Sequence, residues 1–271
     1  MLILLKPIIV KQLLSIIVAN LMNSKNPLLT TPVEIEALFT TTLAGDVHEK
    51  KWENFAEEIK FKNRFFLKET VDLKLLAILL KYFSRSYHKG KIFYRVRISD
   101  QTGFSIDQMG KPPADKATSG RANPKGIPYL YLATRADTAI YESRSTYLDY
   151  VTIAEFKLID TLQVVSLREI TSLSPFIFGD QITNYISHQK YLSRLEKELS
   201  KPIRKNDKEL DYLPSQYLCE YVKSLGYDAI EYGSAQKKNG INIAVFTEDK
   251  LEPSTADVYE ISGMNLNYVK L

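Results

Sequence analysis

The stretch from Gly120 to Glu142 gathers three side chains that can act on one substrate. Arg121 sits among Gly120, Pro124, Gly126 and Pro128, which break any regular pattern and make a loop. Tyr129 to Ala133 is apolar and aromatic and alternates as a strand does, with Tyr131 at its middle. Thr134, with Asp137 three residues on, fits a capping box, so the spacing predicts a helix from about Arg135 to about Tyr147 carrying Glu142 early along it. An arginine fork can take two phosphate oxygens at once. A tyrosine ring supplies an aromatic wall. A carboxylate favours positive charge as it develops in a transition state. Together they suit an anionic, aromatic-headed substrate that becomes more cationic as it reacts.

Two further residues join this set. Ser234, near a strand end, can donate a hydrogen bond to a phosphate or a sugar hydroxyl. Arg95 shares a strand face with Phe93 and Arg97, which fits an anion pocket or a solvated sheet edge equally well. Each residue also has a plainer reading. Arg121 can be a surface charge, Tyr131 a core residue and Ser234 a turn serine. Glu142 can pair with Arg135 or Arg144 on its own helix. No Gly-x-Gly-x-x-Gly unit opens a helix, which argues against a Rossmann dehydrogenase site.

The elements that must position these groups follow from periodicity. Residues 1–88 read as mainly helical, with a helix start at Thr31-Pro32-Val33-Glu34, an apolar side through Trp52, Phe55 and Ile59, and a second helix from Val71 to Phe83 with Leu73, Leu75, Leu76, Leu79 and Leu80. Near residue 89 the pattern switches to short alternating strands: Ile92 to Ile98, Val151 to Lys157, Leu162 to Leu167, Tyr227 to Tyr232 and Ile241 to Thr247. Asp100 to Ser119 is rich in Gly, Pro and polar residues and reads as a loop over the site. Helices are expected from Gln181 to Leu199 and from Pro214 to Leu225, the second ended by Gly226. Lys201 to Lys208 reads as a solvated basic loop, and Asn239-Gly240 as a hairpin turn. The expected division is a helical region at 1–88, a catalytic domain at 89–252 and a peripheral tail at 253–271.

Bulk properties narrow the function classes. The chain has 271 residues, 45% of them hydrophobic, enough for a buried core. A net charge of +4 is too small to imply a nucleic-acid partner. Met1 to Met22 is apolar but interrupted by Lys6, Pro7 and Lys11, so a packed helix is expected there and no membrane segment or signal peptide. The cytoplasm is therefore the expected location. A single cysteine, Cys219, excludes an internal disulfide and lies in an apolar helical run, as a core filler does. His48, His88 and His188 show no metal-ligand spacing.

Several of these residues also carry a resemblance. Gly120-Arg121, Tyr131 and Glu142 form one block. Gly226-Tyr227-Asp228-Ala229-Ile230, Ser234 and Asn239-Gly240-Ile241-Asn242, leading to Phe246, form a second, and Tyr94-Arg95 fits an opening strand. In order and type these blocks resemble the RES domain over roughly Lys89 to Glu248. The resemblance favours the pocket reading of Arg95. It implies an α+β fold like that of diphtheria-toxin-class ADP-ribosyltransferases, with a cleft between mostly antiparallel sheets; it does not cover the first 85 or so residues, where periodicity alone predicts a helical N-terminal extension. It implies NAD as substrate, with no separate cofactor and no metal, and cleavage of the nicotinamide–ribose bond with water or inorganic phosphate as acceptor. Members of that family act as bacterial toxins held by Xre-type helix-turn-helix antitoxins, so such a partner is expected. Transfer of ADP-ribose to a macromolecule and an inactive NAD-binding module are the alternatives.

Overall fold

In the computed structural model, residues 41–168, 170, 178, 182–201 and 208–264 are described. The expected helices before residue 41, most of the basic loop and the last seven residues lie outside them.

The first helix among the described residues, α1 (Thr41–Phe61), buries Trp52, Phe55 and Ile59, whose spacing of three and four places them on one face. Asp72 caps α2 (Leu73–Lys81) by accepting from the Leu75 N–H, and α2 buries Leu76, Leu79 and Leu80. The remaining α-helices among the described residues are α3 (Ala136–Ser143), α4 (Ile182–Ser200) and α5 (Lys208–Ser224). Cys219 is buried on α5, in the apolar role expected for it.

Eight strands follow from β1 (Ser84–Tyr87) and β2 (Ile92–Ser99) through β3 (Leu130–Ala133), β4 (Tyr150–Leu158) and β5 (Leu162–Leu167) to β6 (Ala229–Gly233), β7 (Ile241–Val245) and β8 (Leu251–Glu260). Their order is β1-β5-β6-β7-β3-β2-β4-β8. Every pairing is antiparallel except β5 with β6, whose parallel run needs the long crossover that α4 and α5 supply. The fold is α+β with a mostly antiparallel sheet, as the sequence leads one to expect.

One junction in the sheet is thin. β2 pairs β4 along its whole length, from Ile92 opposite Lys157 to Ser99 opposite Tyr150, but meets β3 only at Tyr94 opposite Ala133. The sheet therefore divides there into two halves. Helices α1, α2, α4 and α5 cover one face of the β5-β6-β7-β3 half around Trp52, Tyr191, Leu195, Leu218 and Ile230. A second core joins the halves: Phe93, Ala154 and Phe156 of one meet Leu130, Leu132, Ile243 and Val245 of the other.

Three local expectations change. Thr134 caps nothing, because its N–H continues the sheet by donating to Ile241 O; Arg135 holds the N-cap position, without a side-chain cap, and pairs with Asp137. α3 is also shorter than expected. Arg144 adopts the left-handed conformation, φ 58°, and ends it, so Glu142 lies in the last turn and not early on the helix. Residues 251–260, mostly assigned to a tail, form β8 along the free edge of β4.

Candidate functional site

The cleft opens where β2 and β3 part. Its volume is about 590 Å³, within the usual size of a ligand pocket. Arg95, Arg121, Tyr131 and Glu142 all line it, from β2, the 118–128 loop, β3 and α3. Among the described residues, four arginines (Arg95, Arg97, Arg121, Arg144) and two glutamates (Glu142, Glu209) line it, so this lining is electropositive.

Arg121 is held by a cage of buried amides and hydroxyls. Gln216 Nε2 lies within hydrogen-bond distance of Gly120 O, Ser119 Oγ and Asn123 O, and Ser215 Oγ donates to Arg121 O. Asn123 Nδ2 donates to Thr118 O and Pro124 O, which closes the loop on itself. The Arg121 guanidinium uses only Nη1 on the protein, donating to Leu199 O and Lys201 O at 2.7 Å each. These are carbonyls at the C-terminal end of α4, where a cation is favoured. Nε and Nη2 make no hydrogen bond among the described residues and form the edge that can take an anion.

Tyr131 does two things at once. Its ring reaches the cleft, while its hydroxyl donates to Asn123 Oδ1 at 2.7 Å and accepts from the Ala122 N–H at 3.0 Å. Burial pushes that hydroxyl well above the usual phenol range, so it stays protonated. Gly120 passes so close that a Cβ there would overlap both Asn123 Oδ1 and Tyr131 Oη. Gly120→Ala should therefore cost roughly 1–3 kcal/mol of stability, the range for overpacking, and thermal unfolding measures it.

Arg95 Nη1 donates to Met109 O and Gly110 O, and Arg97 Nη1 donates to Gln108 O while its guanidinium stacks 3.8 Å from the Phe104 ring centre. Both arginines thus fasten the loop after β2 to the cleft wall. Burial, and then the neighbouring Arg97, pull the Arg95 guanidinium down to about 10, and it is still a cation at neutral pH.

Ser234 is placed differently from the expectation. It does not line the cleft as a donor to ligand phosphate or sugar. Its hydroxyl accepts the N–H groups of Gln236 and Lys237, which leaves its proton for Glu142 Oε1. Asn242 Nδ2 donates to the same oxygen at 2.8 Å. Glu142 Oε2 has no hydrogen bond among the described residues, on a side chain that lines the cleft.

Sequence reasoning missed Asn123, Gln216 and Asn242 as site-building residues. Asn123 and Asn242 stand inside the sequence blocks, but nothing in the sequence assigns either a role. Gln216 had no local signal, because its partners lie more than ninety positions away. Among the described residues no group of three or more His, Cys, Asp or Glu side chains is placed to hold a metal, and no helix is long and apolar enough to cross a membrane.

No curated protein matches the chain. Among solved structures it is similar to a chain of the M. tuberculosis MbcT-MbcA toxin-antitoxin complex, at 12% identity and a TM-score of 0.40, over 69% of this chain and 92% of that one. The family model described as the RES domain matches residues 92–262, well over half of the sequence. This chain belongs to the RES domain family.

Proposed function

We propose that this protein consumes NAD by breaking the bond between nicotinamide and ribose. The observation that carries the reading is the meeting of Arg121, Tyr131 and Glu142 in one electropositive cleft. The free edge of Arg121 binds the pyrophosphate, and the Tyr131 ring holds the nicotinamide. As the C–N bond breaks, its electron pair leaves with nicotinamide and positive charge builds on the sugar. Glu142 Oε2 faces that charge and holds a ribose hydroxyl. Water or inorganic phosphate then bonds to the sugar carbon. With water the products are nicotinamide, ADP-ribose and a proton; with phosphate the sugar retains a phosphoryl group.

Family membership supports two further parts of the reading: the protein is a bacterial toxin acting in the cytoplasm, and an Xre-type helix-turn-helix antitoxin holds it in check. The test is to incubate the pure protein with NAD, with and without phosphate, and identify the products. Release of nicotinamide supports the reading, and dependence on phosphate names the acceptor. Intact NAD in both arms rejects it, and ADP-ribose attached to the protein or to added macromolecules moves the activity to the transferase class.

A further inference from the structure

The placement of Glu142 raises a physical problem. It lies in the last turn of α3, where the helix dipole is negative and disfavours a carboxylate. Its own helix offers no compensation, and no cation is within ion-pairing distance of it among the described residues. The compensation comes from two distant donors on one oxygen, Ser234 Oγ and Asn242 Nδ2.

Of the two, Asn242 has the firmer seat. It lies on β7, which is paired on both sides: Asn242 stands opposite Ala133 of β3 and opposite Tyr232 of β6. The strand that carries Tyr131 is therefore the same one that fixes Asn242. Asn242 is buried. Because an ionised carboxylate only accepts, the side-chain amide must turn its NH₂ toward Glu142. Ser234 sits instead in the loop between β6 and β7. Two donors on Oε1 also settle which oxygen is available: a carboxylate held by Oε1 presents Oε2.

We infer that Asn242 is a positioning residue for Glu142, setting the direction of the carboxylate through Oε1 so that Oε2 meets the substrate. This rests on the NAD-cleaving reading of the cleft. A charge-assisted hydrogen bond to a group that acts mainly in the transition state should appear in turnover and not in binding.

The experiment is a double-mutant cycle on nicotinamide release, with thermal unfolding measured alongside. Asn242→Ala should lower kcat by roughly 10- to 100-fold, the range for losing a hydrogen bond to a charged group, with KM within about twofold. Asn242→Asp keeps the shape, removes the donor and sets a second carboxylate against the first, so it should be at least as impaired. In a Glu142→Gln background, Asn242→Ala should cost little more, because the charge it serves is already gone. Equal losses in both backgrounds would mean that Asn242 acts on the substrate or the fold and would overturn the inference, as would an unaffected kcat in a folded Asn242→Asp protein. Inactive wild-type protein would instead reject the underlying reading of the cleft.

Discussion

Glu142→Gln should lower turnover by roughly 10²- to 10³-fold while leaving the protein folded and NAD affinity nearly unchanged. Glutamine keeps the side-chain shape, and its oxygen can still accept from Ser234 and Asn242. What it loses is the negative charge that meets the sugar cation. That charge matters most when the cation forms, so the loss falls on kcat. A glutamate serving only the fold gives the reverse pattern, with a lower unfolding temperature and nearly normal turnover per folded molecule. Nicotinamide release and thermal unfolding of the same sample separate the two.

Glu231→Ala should have the largest effect on stability. Glu231 on β6 is 0% exposed and is held by Arg85, by Tyr87 Oη, by Ser166 Oγ at 2.9 Å and by Arg168 Nε at 3.2 Å. A buried carboxylate is tolerated there because donors surround it. Removing it leaves two arginines and a half-buried tyrosine hydroxyl short of their shared partner. Breaking such a cluster by deleting one member costs about 3–5 kcal/mol. For a domain of this size that is on the order of 10 °C in Tm. The cluster joins β1, β5 and β6, and neither Glu231 nor its partners line the cleft. Turnover of the folded fraction should therefore stay within a few-fold. An unchanged Tm would show that the cluster contributes nothing net.

What the sequence revealed was mostly local. Asn239-Gly240 announced the hairpin between β6 and β7, and Asn239 does take the left-handed conformation there, φ 59°. The run Leu162 to Leu167 marks a strand whose Leu162, Val164 and Leu167 face the core, whereas Ile92 to Ile98, although it forms β2 as expected, buries only Phe93. The misses share one cause, dependence on distant partners. β8 carries Pro253 and polar residues, and nothing local marks it as a strand; it forms because β4 offers a free edge, with Pro253 beside an irregularity in the register. Ser84 to Tyr87 falls in the region expected to be helical, yet β1 exists because β5 pairs it. At the site, residue type drew attention to Arg121, Tyr131, Glu142 and Ser234. The sequence could not show that Ser234 serves Glu142, or that Asn242 joins it, because those contacts span 92 and 100 positions.

The most direct measurement is an experimental structure of Glu142→Gln soaked with NAD, since the slowed variant should hold uncleaved substrate. NAD should lie in the cleft between β2 and β3. The pyrophosphate should lie on the Nε and Nη2 edge of Arg121, the nicotinamide against Tyr131, and its ribose within hydrogen-bond reach of residue 142. NAD bound elsewhere, or in the cleft with its nicotinamide ribose remote from residue 142, would contradict it.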